Sequence, residues 1–177
     1  TQADPDVALA QTIDADKVQA TGAGADYAHS SDRSALAVVR RYEGGLFAPL
    51  YVEEKASGQD VRPTEVYKSF ALKAKSLGAR VIASDVHVKE NAREVYERHQ
   101  ISYKLSPSTE DVFDAGRMVF RERRVSLAKL SEKDRELVCK QLSQVMVIPG
   151  QAGKMKIHLP RTSVKDIGNG HGTTHCD

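Results

Sequence analysis

The sequence predicts a mainly α chain of four to five amphipathic helices with extended N- and C-terminal arms. Three observations carry that expectation. Apolar residues recur every three or four positions in several windows between residues 63 and 146, the period of a helix with one buried face. Serine, aspartate or proline start signals precede those windows, where a side-chain oxygen or a missing N–H suits the unsatisfied first turn. The two ends are rich in small and polar residues and lack the apolar surface that offsets ordering entropy.

In chain order, residues 1–30 read as an N-terminal arm, with Val7, Leu9, Ile13 and Val18 at loose helical spacing. Ser30, Ser31 and Asp32 can cap a short helix running to about Arg41, with Leu36, Val39 and Tyr42 as its inner stripe and Gly44–Gly45 as its stop. Residues 46–52 are apolar but contain Pro49, which removes a ladder donor, so they read as an extended packing segment and not a central strand.

A helix from Pro63 to Leu77 follows, with Val66, Phe70, Ala74 and Leu77 on one face and Gly78 beyond its end. Another is expected from about Asp85 to His99, capped by Ser84 or Asp85 and facing inward through Val88, Ala92, Val95 and Tyr96. Ile101, Tyr103 and Leu105 alternate briefly. Ser106–Pro107 then announces the longest helix, about 107 to 129, and Ser131 opens the last, 132 to 146, before Pro149–Gly150. The predicted organisation is an arm at 1–30, a helical domain at 31–148 and a second arm at 149–177.

Composition narrows the possible functions. With 40% apolar residues, 6% aromatic residues and no Trp, the chain can form one modest core and must leave much of its length as surface or interface. Two distant cysteines, Cys139 and Cys176, show no disulfide-framework spacing, and no apolar run approaches the ~20 residues that span a bilayer. The chain starts at Thr1 without a signal-peptide core or an Arg-rich transit pattern, which fits an import segment already removed or a trimmed chain. Residues 1–60 carry 5 basic against 10 acidic side chains and residues 61–177 carry 21 against 14. That split fits ordinary solvated charge, or a basic part facing an anionic partner.

Motifs for small-molecule chemistry are weak. Gly150 to Lys154 has two residues between its glycines and Met155 after the lysine, whereas a phosphate loop needs four residues and a hydroxyl. Gly22 and Gly24 have no third glycine, so nucleotide binding is set aside. His171, His175 and Cys176 are the residues most like metal ligands, yet a structural zinc site needs a fourth donor and His158 is at no telling spacing. Cys139 reads as a packed small side chain. His87, His99, Glu53–Glu54 and Glu110–Asp111 form no nucleophile, base and orienter set. The expectation is therefore a non-catalytic chain without cofactor or resident metal.

Arg117, Arg121 and Arg124 fall at offsets of 0, 4 and 7, which on one continuous helix aligns three guanidiniums along a ridge. Such a ridge suits phosphate or carboxylate. It is the candidate contact for an anionic partner or lipid, although Asp114 and Glu122 lie beside it.

On the same helix, Asp111 to Ala115, then Arg117 to Arg121, then Ser126–Leu127, together with Tyr67 to Gly78 upstream, resemble the small helical matrix-side subunit, subunit 7, of the mitochondrial cytochrome bc1 complex. The spacing between the segments is longer than in that family, Lys129–Leu130–Ser131 replaces a Leu-Pro-rich turn, and the aromatic carboxyl end is missing. The resemblance implies a cofactor-free accessory subunit of a respiratory-chain membrane complex. It would be peripheral on the matrix side of the inner mitochondrial membrane, bound to other subunits and to anionic phospholipid. An organellar ribosomal or RNA-binding subunit is the alternative, and a small enzyme, which would need a pocket with convergent polar groups, is the third.

Overall fold

The computed structural model describes residues 17–27, 33–56, 62–85, 89–149 and 155–158. Strands β1 (Val18–Asp26), β2 (Arg33–Tyr42) and β3 (Phe47–Ala56) are followed by helix α1 (Pro63–Ser76), β4 (Val81–Ser84), helix α2 (Lys89–Arg98) and β5 (Ser102–Leu105). Helices α3 (Thr109–Arg121) and α4 (Glu132–Ser143) and the strands β6 (Met146–Pro149) and β7 (Met155–His158) complete the chain.

The five longer-range strands form one mixed sheet in the order β3-β2-β1-β4-β5, and β6 and β7 form a separate antiparallel pair. β1 to β3 are antiparallel neighbours, while β4 runs parallel to β1 and β5 parallel to β4. Parallel neighbours need a crossover, and α2 supplies it between β4 and β5. The mainly α expectation is corrected: the sheet organises the molecule, and β1, its middle strand, lies within the stretch read as an N-terminal arm.

The residues read as a short helix near 31–41 are β2. Ser34, Leu36 and Val38 are buried at every second position, the period of a strand. Leu36, Val39 and Tyr42 also fit a three-residue spacing, and Ala35, Ala37 and Val39 make the other face apolar too. With both faces apolar, periodicity cannot separate strand from helix. β3 is an edge strand, and Pro49 sits where its register with β2 shifts between Val38 and Val39, a position that tolerates the missing donor.

One face of the sheet is covered by α1 and α2. Val66, Phe70, Ala71 and Ala74 of α1 and Ala92 and Tyr96 of α2 pack on Ala25, Leu36, Val38 and Ile82. Each large side chain buried there contributes about 1.5–3 kcal/mol relative to exposure. The Tyr27 and Tyr96 hydroxyls are hydrogen-bonded inside this core, and burial, helped by the nearby Tyr103, pushes the Tyr96 phenol well above its usual range. On the opposite face Gly22 lies against β4, where an added Cβ would come within 3.3 Å of Val81 Cγ1.

Local signals set the helix ends. Pro63 opens α1 and Gly78, at φ 84°, follows its C-terminus. The Ser108 and Ser131 hydroxyls accept from the Asp111 and Asp134 N–H groups, each at 3.2 Å, and cap α3 and α4. The helix expected over 107–129 stops at Arg121: Arg123 has φ 56°, the Phe47 N–H donates to the Arg124 carbonyl at 2.7 Å and the Ser126 N–H to the Phe47 carbonyl at 2.9 Å. Hydrogen bonding to β3 replaces helix continuation there.

Candidate functional site

β1 and β4 lie side by side and point the same way, and their last paired residues are Ala25 and Ser84. Asp26 and Asp85 each come one residue later, so their backbones are separated by about one strand spacing, ~4.8 Å. Ala25 and Ser84 are buried toward α1 and α2, and strand alternation turns the next residue to the other face. Asp26 and Asp85 line one cavity of about 310 Å³, walled on its far side by Leu105, Pro107, Ser108 and Val112 from the end of β5 and the start of α3. A crevice beyond the carboxyl ends of parallel strands is where open α/β sheets bind ligands, because the loops diverge there.

The site joins two hard carboxylate donors to an apolar wall. Leu105 and Val112 are 46% and 44% exposed, so this wall is open to whatever enters. Carboxylate oxygens suit magnesium, manganese or calcium better than softer metals. Among the described residues no cluster of three or more His, Cys, Asp or Glu is present, and the donor set seen here is the aspartate pair. A depression of about 460 Å³ beside α1 is larger, but its two carboxylates, Glu53 and Glu65, share it with the ammonium groups of Lys68 and Lys73.

The sequence marks neither aspartate as a functional residue; Asp85 is, with Ser84, one of two candidate caps for the helix that follows. The two aspartates are distant in the chain, so no spacing marks them. The available signal is that each directly follows a short run of small or apolar residues, Gly-Ala before Asp26 and Ile-Ala-Ser before Asp85, as a residue at the carboxyl end of a strand would.

The three candidate arginines do not lie on one continuous helix. Arg117 and Arg121 lie on α3, and Arg117 Nη2 is 3.1 Å from Asp114 Oδ1. Arg124 lies beyond the helix, with Nη2 2.5 Å from Glu122 Oε2 and Nη1 donating to the Gly45 carbonyl at 3.5 Å. Cys139 is exposed and not packed. Glu54 is held by Arg33 and by Gln141, and Glu110 and Asp111 occupy the first turn of α3. His87, His171, His175 and Cys176 and the glycine turn at 150–154 lie outside the described residues.

No protein-family profile and no curated protein matches this sequence. Solved structures do. The large terminase nuclease of thermophilic phage G20c is similar at a TM-score of 0.55 and 15% identity, over 79% of this chain and 72% of that one. The large terminase of bacteriophage HK97 is similar at 0.61 and 13% identity, over 78% of this chain. The human cytomegalovirus terminase nuclease domain gives 0.51 and 12%, over 75% and 78%. This chain spans only 35% of the HK97 protein.

These likenesses overturn the respiratory reading. The resemblance to the bc1 subunit, the non-catalytic accessory role, the matrix-side placement at the inner mitochondrial membrane and the ribosomal alternative all presupposed a helical chain, and the sheet is that of viral terminase nuclease domains. The segment that carried the resemblance is helical in part, but an acidic first turn leading into an amphipathic helix recurs in unrelated folds. Among the described residues no helix is long and apolar enough to cross a membrane. The described part of the chain has the ribonuclease H-like α/β fold of the terminase nuclease domains.

Proposed function

We propose that this chain is a metal-dependent nuclease domain of terminase type that hydrolyses phosphodiester bonds in DNA, as part of a larger assembly. The observation that carries this reading is the convergence of Asp26 and Asp85 on one cavity at the carboxyl ends of adjacent parallel strands. It returns to the class ranked third from sequence, a small enzyme, through the convergent polar groups that class requires. The G20c terminase nuclease has been solved with bound magnesium, that of Sf6 with manganese and that of human cytomegalovirus after soaking in manganese, and the aspartate pair has the donor chemistry for either ion.

Asp26 and Asp85 would hold the ion, which supplies the Lewis acidity that hydrolysis of a phosphodiester needs. The aspartates come from two strands locked in register, so the spacing of their backbones is set before any substrate arrives. Leu105, Pro107 and Val112 offer an apolar surface to a sugar or base on one side of the cavity. Lys104 pairs with Ala83 and so lies on the sheet face that carries the acids, where it can contact the phosphate backbone. Arg117 and Arg121 begin eight residues after the start of α3, about 12 Å from it along the helix axis. That distance is several nucleotides at ~3.4 Å each, and we assign these two arginines to phosphates flanking the cleaved bond.

The test is cleavage of plasmid and linear duplex DNA with Mg²⁺ or Mn²⁺, comparing the parent chain with Asp26→Asn and Asp85→Asn. Each variant is expected to lose on the order of a thousandfold in rate, the scale of removing one charge-stabilising element, while keeping its circular dichroism. Parent-level cleavage by either folded variant rejects the assignment.

A further inference from the structure

Asp85 is held on one side by the continuing β4–β5 ladder and on the other by a side-chain hydrogen bond that the sheet itself does not require. The carbonyl preceding it, Ser84 O, accepts from the Ser106 N–H at 2.9 Å. Its own carbonyl accepts from the Tyr103 hydroxyl at 3.1 Å. The Tyr103 oxygen is also 3.0 Å from Ser84 Oγ. A phenol has one proton, and since Tyr103 gives it to the Asp85 carbonyl, Ser84 must be the donor in the second bond. Ser84 is 1% exposed, so its hydroxyl has no solvent alternative.

The resulting chain runs from Ser84 Oγ–H to Tyr103 Oη–H to Asp85 C=O. Cohesion of the two strands does not explain it. β4 and β5 are already joined by four register pairs, from Val81 and Ser102 to Ser84 and Leu105, and the Tyr103 ring is stacked on Tyr96 with centroids 6.2 Å apart. What the phenol adds is a fixed carbonyl one residue beyond the end of the ladder, on the residue whose carboxylate faces the cavity. Removing the hydroxyl frees the backbone torsion of Asp85 without removing the ring that packs.

We infer that Tyr103, anchored by Ser84, is a positioning residue that pre-orients the Asp85 carboxylate for a divalent cation. The inference rests on the nuclease reading above. Partners that orient metal ligands typically change metal affinity 10- to 100-fold when removed.

The experiment is titration of the metal-free full chain with Mn²⁺, following free Mn²⁺ by electron paramagnetic resonance, for the parent, Tyr103→Phe, Ser84→Ala and Asp85→Asn. Tyr103→Phe is expected to weaken Mn²⁺ binding about tenfold and to move its thermal midpoint by no more than about 5 °C. The Mn²⁺ concentration for half-maximal DNA cleavage should rise in step, with the rate recovering at saturating Mn²⁺, which a merely structural defect would not produce. Ser84→Ala keeps the phenol but removes its anchor and should weaken binding in the same direction; it carries the test if Tyr103→Phe fails to fold. Parent-like Mn²⁺ affinity in the folded variants, with affinity lost in Asp85→Asn, overturns the positioning role and leaves the nuclease reading intact. Absence of Mn²⁺ binding by the parent overturns both.

Discussion

Helices α1 and α3 have similar lengths, 14 and 13 residues, and opposite relations to the core. α1 buries Val66, Tyr67, Phe70, Ala71 and Ala74 against the sheet, whereas neither α3 nor α4 has a fully buried residue. The second pair is attached through the segment between them, where Ser126, Leu127 and Leu130 are buried and Val125 forms a bridge to Phe47, and through α4, whose Gln141 Nε2 donates to Glu54 at 2.6 Å. Met118 and Phe120 stay about half exposed. The comparison separates two tasks. The sheet with α1 and α2 supplies stability and locks the aspartates in register, while α3 adds a cavity wall and basic side chains at little cost to the core.

That division can be broken from the stable side first. Phe70, fully buried, should lose about 3–5 kcal/mol of stability on Phe70→Ala, the usual cost of an aromatic cavity. Urea unfolding measures it, and a loss below about 1 kcal/mol would place the core elsewhere. Ser131 caps α4, and Ser131→Ala should cost about 1 kcal/mol, with the sheet's amide protection unchanged if the two regions are separable. The smallest effect on stability belongs to the pair Arg117→Gln and Arg121→Gln, within about 0.5 kcal/mol for exposed sites. The same pair should weaken DNA binding and lower the salt-dependence slope by about 1 to 2; an unchanged slope removes these arginines from the phosphate contact.

Legibility followed how local each signal was. α1 was predicted from Pro63 to Leu77 and forms from Pro63 to Ser76; α4 was predicted from 132 and begins at Glu132. Their caps, proline and glycine act within one turn. β1 was missed because Gly22, Ala23, Gly24 and Ala25 carry little side chain to show a period, and β4 because four residues are too few. Residues 107–129 were overextended because Leu127 continues the helical period, yet its burial serves the β3 anchor. The single helix that would align Arg117, Arg121 and Arg124 ends at Arg121, and Arg124 follows the positive φ at Arg123.

The start and stop of α1 and the start of α4 were written in short stretches of sequence, because a cap, a proline or a glycine acts over a few residues. The sheet order, the burial of β1 at its centre and the meeting of Asp26 with Asp85 arose only on folding. Strand pairing joins residues far apart in the chain, and two carboxylates become a site only when parallel register sets them side by side.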